Sequence, residues 1–264
     1  SACGKGIGSV PSTTLGYEQR FNPAFQIHDE DEFVAWLLEG QPEAPPYFAR
    51  MKRVNRVSAP LLLELPQAQH IKESPAVFLP DNAMLIDTRP AHIFAHKHLP
   101  GSVNIPISST GFSTWAGNLV ADEQSVFFIA YLNDVMNVLT ALYSVGIDNV
   151  PGYFTADILE QGETVSIPEM PPEAAGDEAL IVDVRGAGEY TSEHIPDALN
   201  IPMPQLHRRI AELPQDRRIL FQCQSGVRSQ VVTSFLMSQG INNVATMPGG
   251  INAWRAADLP VQES

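Results

Sequence analysis

Ile219-Leu220-Phe221-Gln222-Cys223-Gln224-Ser225-Gly226-Val227-Arg228-Ser229 passes from a short apolar run, through a glycine-containing loop, into a stretch with Val231, Val232, Phe235 and Leu236 at helical spacing. The apolar run reads as a buried strand, and Gly240 stands where the following helix needs its C-cap. A strand that turns directly into a helix is the unit of an α/β fold, a mostly parallel sheet with helices on both faces. Functional loops of such sheets lie at the carboxyl ends of strands. Cys223 stands at one such end.

Working outward, the same pattern occurs twice. Leu85-Ile86-Asp87-Thr88-Arg89 returns as Ile181-Val182-Asp183-Val184-Arg185, and the stretch from His98 to Pro106 returns from His194 to Pro202. Both pairs are offset by 96 residues (87 to 183, 98 to 194), whereas Gly146-Ile147-Asp148-Asn149-Val150 and Gly240-Ile241-Asn242-Asn243-Val244 are offset by 94 (146 to 240). A period this long means duplicated domains, because solenoid repeats are far shorter. The copies run over 74–165 and 168–264, behind an N-terminal segment of 1–70. In that segment Asp29 and Glu32 have capping-box spacing before a helix through Leu38 that stops at Gly40, and a basic amphipathic stretch runs from Tyr47 to Arg56.

The 264 residues carry a formal charge of −14 and are 44% hydrophobic. That balance argues against nucleic acid or an anionic membrane as partner, since phosphate contacts need clustered cations. A small anionic ligand needs only two or three local cations and stays allowed. No apolar stretch approaches the roughly 18 residues of a membrane span, and the first residues lack the apolar core of a signal peptide. Two cysteines, Cys3 and Cys223, are too few for a disulfide framework or a cysteine zinc cluster. A reducing, cytoplasmic setting is therefore expected. His96 and His98 sit in a turn motif without further ligands, so no metal site is expected there.

A strand-to-helix turn aims successive backbone N–H groups at one point, at the positive end of the helix dipole. That environment favours a thiolate at Cys223, and thiolate is the nucleophilic form. Gly226 permits the tight turn, and Arg228 can pair with the oxygens of an anionic substrate. Cys-x-x-Gly-x-Arg-Ser (Cys223 to Ser229) resembles the rhodanese family. The other family-like elements are Val182 to Arg185, Glu189-Tyr190, His194 to Pro202, Met247-Pro248-Gly249-Gly250 and Ala253-Trp254. Asp197 departs from it, standing where the family has glycine; only a turn should feel the difference. The cysteine phosphatases of the dual-specificity type also close an anion cradle with arginine, but with five residues between Cys and Arg; here there are four, Gln224 to Val227.

The resemblance implies two rhodanese-like domains in tandem and sulfurtransferase activity. Cys223 would take the outer sulfur of thiosulfate or a low-molecular-weight persulfide such as glutathione persulfide, and pass it to cyanide, sulfite or a thiol. Gln224, Ser225, Gly226, Val227 and Ser229 would hold the anion through loop amides, with Arg228 on its oxygens. Asp183 and Arg185 either contact substrate or brace the loop; His194 reads as a turn brace, because its copy His98 occurs where no nucleophile exists. A non-catalytic or protein-persulfide carrier module is the alternative, and a homo-oligomer is compatible with either.

In the first copy the offsets place the Cys223 equivalent among Phe127, Phe128 and Ile129, and Asp134 near the place of Arg228, so that copy should be chemically silent. The N-terminal segment resembles the end of a metallo-β-lactamase-fold persulfide dioxygenase. The residues that carry this are Ser1 to Lys5, Pro11 to Glu18, Asn22-Pro23, Pro45 to Lys52 and Asn55. The His-x-His-x-Asp-His motif of that family is absent, so no cofactor is expected in this chain, and iron only where an upstream dioxygenase domain is present.

Overall fold

In the computed structural model, residues 12–39, 44–57, 67–176 and 179–263 are described. The chain divides into two units, Ser1–Glu43 and Ala44–Ser264. In the first, the Thr14 hydroxyl caps α1 (Leu15–Phe21) by accepting the Tyr17 N–H, and α2 (Glu30–Leu38) starts at Asp29 as its sequence predicts, the carboxylate accepting the Glu32 N–H at 3.0 Å. Neither helix buries a side chain, so the described part of this unit has no core of its own. Ser1 to Lys5, Pro11 and Gly40 lie outside the described residues.

The second unit opens with α3 (Tyr47–Val57), the basic stretch read from the sequence. Its buried Arg50 donates to the Val145 carbonyl at 3.1 Å, and Arg53 pairs with Asp122 at 2.8 Å. These contacts tie α3 to the first copy instead of to the N-terminal unit.

Two parallel sheets follow. The first joins β1 (Gln69–His70), β2 (Met84–Asp87), β3 (Val103–Asn104), β4 (Val126–Ala130) and β5 (Gly152–Thr155) in the order β1-β5-β4-β2-β3. Around it stand α4 (Pro75–Phe78), α5 (Ala91–His96), α6 (Phe112–Leu119) and α7 (Val135–Tyr143). The second sheet joins β6 (Ala179–Asp183), β7 (Leu199–Asn200), β8 (Arg218–Gln222) and β9 (Val244–Thr246) in the order β7-β6-β8-β9. Its helices are α8 (Ala187–Ser192), α9 (Leu206–Arg209), α10 (Val227–Ser238) and α11 (Gly250–Ala256). A parallel bridge from Glu169 to Thr246 takes the place that β1 holds in the first sheet. The duplication read from the sequence is thus present as one strand order used twice. Asp197 adopts the left-handed turn of its counterpart Gly101, with φ +60° against +77°.

The two lobes share a core. One apolar cluster runs from Ile86, Phe128, Val138 and Leu142 into Val182, Phe221, Val232 and Leu236. Helix α10 lies at the junction and is buried from Ser229 through Leu236, so it shows no amphipathic stripe. Its buried polar groups are met by the first lobe. Gln230 donates to the Ala91 carbonyl and to Asn104 Oδ1, each at 2.8 Å, and the Ser234 hydroxyl accepts the Asn104 N–H at 3.0 Å. Pairing of this kind is what makes burying a polar helix face tolerable.

A shared core predicts shared unfolding. Phe128→Ala, at a fully buried position of the first lobe, should cost about 3–5 kcal/mol and lower the denaturation midpoint of both lobes together. Urea titrations followed by far-ultraviolet circular dichroism and by Cys223 alkylation should coincide; separate transitions would show that the lobes fold independently.

Candidate active site

Strand β8 delivers Cys223 and α10 begins four residues later, as the sequence pattern requires. Between them Gly226 takes φ +89°, and its N–H points at Cys223 Sγ at 3.2 Å. The first amides of α10 have no intrahelical acceptor, so the thiol sits beside the positive end of that helix. Cys223 is 1% exposed, while Ser225 in the same loop is exposed.

A second loop wedges the first in place. The Cys223 carbonyl accepts the Ile251 N–H at 2.8 Å and the Gln224 carbonyl accepts the Asn252 N–H at 3.3 Å. A Cβ at Gly250 would overlap the Cys223 carbonyl oxygen, and one at Gly226 would lie 2.7 Å from the Gly249 amide nitrogen. The Met247-Pro248-Gly249-Gly250 stretch is therefore the backing of the cysteine loop, and its glycines are steric requirements. Ser229 is fully buried, its hydroxyl shared between the Gly226 carbonyl (2.9 Å) and Thr246 Oγ1 (2.8 Å). Its side chain braces the loop; its backbone amide stays at the helix start with those of Val227 and Arg228. Gln224 bridges Asn252 Oδ1 at 2.7 Å and Arg185 Nη1 at 3.4 Å.

The acidic and basic residues are committed to one another. Asp183, fully buried, accepts the Arg185 backbone N–H (2.9 Å) and its Nε and Nη2, the latter at 2.7 Å; Nη2 also donates to the Glu193 carbonyl. The first lobe repeats this latch, with Arg89 Nη2 at 2.6 Å from Asp87 and 2.8 Å from the Lys97 carbonyl. A motif built identically where no nucleophile exists supports bracing, not substrate contact, as the work of Asp183 and Arg185. His194 and His98 are turn braces in the same sense. Each Nδ1 lies 2.9 Å from the carbonyl four residues earlier, and each ring stacks on Tyr190 or Phe94.

Arg228 has a partner that the sequence reading did not assign. Both its Nη groups donate to Glu189 at 2.7 Å, an end-on bidentate pair linking the first turn of α10 to the first turn of α8. Hydrogen bonding to Arg228 holds the Glu189 carboxyl below the usual glutamate range, against the opposing effect of burial. The same bonds hold the Arg228 guanidinium more firmly protonated than usual. The pair joins residues 39 apart, and the only sequence signal for it was Glu189-Tyr190 standing beside the other motifs.

Sheet register corrects the match between the lobes. Asp183 pairs with Gln222 and Asp87 with Ile129, so Ile129 answers to Gln222 and Ala130 to Cys223. None of the three residues expected from the offsets is the equivalent. The reason is two changes of length: Ile129 follows Asp87 by 42 residues where Gln222 follows Asp183 by 39, and Gly146 follows Ala130 by 16 where Gly240 follows Cys223 by 17, so the offset runs 96, 93 and then 94. The register of β5 and β9 likewise sets Ala156-Asp157 where the second lobe has Gly249-Gly250.

Cavities of about 320 Å³, including Ala179, Ile181 and Trp254, and about 500 Å³, including Ala83, Leu85 and Leu99, lie at the opposite strand ends from Cys223. No group of three or more potential metal ligands occurs among the described residues. No described helix is long and apolar enough to cross a membrane.

A rhodanese-like domain model matches residues 172–257, which hold the whole cysteine site. A sulfurtransferase of Allochromatium vinosum is 40% identical over 85 residues, covering 32% of this chain and 79% of that protein. The chain belongs to the rhodanese-like sulfurtransferase family. The thiosulfate sulfurtransferase GlpE of Pseudomonas savastanoi pv. phaseolicola is 35% identical over 78 residues, 30% of this chain and 74% of that protein. Among solved structures, a metallo-beta-lactamase of Staphylococcus aureus subsp. aureus COL aligns with 58% of this chain and 41% of its own, at 28% identity and a TM-score of 0.47. The family match lies on the second lobe, so one rhodanese-like domain is shown where the sequence reading expected two.

Two substitutions test the steric account. Gly250→Ala should cost more than about 1 kcal/mol, since the new side chain meets a backbone carbonyl at a positive φ, and should lower any Cys223 reactivity in step. Ala130→Cys should create no reactive thiol, because its loop lacks the glycines and the arginine; alkylation of that cysteine as fast as Cys223 would refute this.

Proposed function

We propose that this rhodanese-like chain moves sulfane sulfur through a persulfide on Cys223. The observation that carries the reading is the Cys223 thiol at a strand end, against the Gly226 N–H and the start of α10. With thiosulfate as donor, the Cys223 thiolate attacks the outer sulfur. A new S–S bond forms at Sγ as the donor S–S bond breaks, and its electron pair leaves on sulfite. With a low-molecular-weight persulfide the leaving group is the donor's thiolate. The enzyme persulfide then gives its outer sulfur to cyanide, sulfite or a thiol, and the Cys223 thiolate returns. Both steps are displacements at sulfur and call on no cofactor. The loop amides from Gln224 to Ser229 stabilise the charged outer sulfur.

The first lobe is, on this reading, a second rhodanese-like copy without chemistry. Its strand order and its Asp87–Arg89 latch support that, and its contribution is the surface on which α10 rests. The N-terminal unit, whose described helices bury nothing, fits a segment belonging to a larger metallo-β-lactamase-fold assembly.

A competing reading, favoured by the 1% exposure of Cys223, makes it an inert core thiol in an interaction module. Mass spectrometry of the Cys223 peptide after incubation with thiosulfate or glutathione persulfide separates the two. A gain of one sulfur atom is expected, lost in Cys223→Ser with the fold unchanged. Slow alkylation near neutral pH and no sulfur gain from either donor would leave the inert thiol as the answer.

A further inference from the structure

Among the described residues, the two arginines that flank the cysteine loop are each paired with a carboxylate. Arg185 is locked to Asp183, and Arg228 gives both Nη groups to Glu189. The two pairs differ in how they are held. Asp183 is fully buried and accepts four bonds from Arg185, one of them from the backbone, so that latch does not open without disturbing the strand end. Glu189 is 41% exposed at the side chain and Arg228 23%, and each comes from the first turn of its own helix. A part-exposed pair of this kind is open to exchange for another anion, and while it stands it takes both Nη groups, which a sulfonate would otherwise meet. The Gly186 N–H donates to Glu189 Oε2 at 3.1 Å, which keeps the carboxylate aimed at Arg228.

We propose that Glu189 is a specificity-determining residue: it holds Arg228 against donors that carry an oxyanion head and so biases the site toward persulfides. This rests on the sulfur-transfer reading above and deepens it. A thiosulfate dianion reaches the two Nη groups of Arg228 only by displacing Glu189. A persulfide presents its outer sulfur to Cys223 and the loop amides with no oxygens that need the guanidinium. Glu189 acts through Arg228 and touches no reacting atom; it is a positioning residue.

The test compares donors and then removes the intermediary. In Glu189→Gln the ratio of kcat/KM for thiosulfate to that for glutathione persulfide should rise about tenfold, the worth of one charge-assisted contact. Glu189→Asp, which keeps the charge, should bring the ratio back toward the wild type. In an Arg228→Ala background the Glu189→Gln gain should vanish, because no guanidinium is left to release. A gain that persists there would mean simple charge repulsion, and an unchanged or lower ratio in Glu189→Gln would mean a strut; either overturns the proposal. A parallel arm needs no turnover. Sulfite binding to the Cys223→Ser protein, measured by calorimetry, should tighten about tenfold on adding Glu189→Gln. If wild-type Cys223 takes sulfur from neither donor, the transfer reading fails while this binding arm still decides the role of Glu189.

Discussion

Helix α10 is buried on both sides, and the site depends on that. A helix in this position needs apolar residues toward its own sheet and paired polar residues toward its neighbour. Val231, Val232, Phe235 and Leu236 meet the first demand, and Gln230 and Ser234, bonded to Asn104 and Ala91 of the other lobe, meet the second. The cysteine loop hangs from the start of this helix. A lobe with no nucleophile therefore supports the one that has it, since unpairing buried amide and hydroxyl groups is costly.

Around the loop, packing and charge divide the work. Packing fixes the backbone: Gly226 and Gly250 bring two turns so close that side chains do not fit between them. Charge fixes the flanks through two carboxylate–guanidinium pairs of different character. The buried Asp183–Arg185 latch recurs as Asp87–Arg89 and belongs to the fold. The part-buried Glu189–Arg228 pair belongs to the lobe that carries Cys223, where its partners stand in the first turns of α8 and α10. In the first lobe the helix offset sets Asp134 opposite Arg228, and the strand register sets Ala130 opposite Cys223. The same scaffold thus carries a glycine-lined cysteine loop in one lobe and a turn without those residues in the other.

What the chain alone determined was local. An apolar run ending at Cys223, a glycine three residues on and helical spacing after it dictate a strand, a turn and a helix, because each follows from near-neighbour sterics and side-chain periodicity. The duplication was legible for the same reason, and so was a turn-bracing part for His98 and His194. Tertiary structure decided the rest. Register across β2 and β4 moved the Cys223 equivalent to Ala130, since the first lobe is three residues longer between those strands and one shorter after them, so the offset at the loop is neither of the two read on either side. Pairing across 39 residues gave Arg228 to Glu189, and docking across more than 120 gave Gln230 and Ser234 to Asn104. Such contacts leave no periodic trace in a single chain: they depend on which surfaces meet, and that is set by the burial of the whole core and not by any one segment.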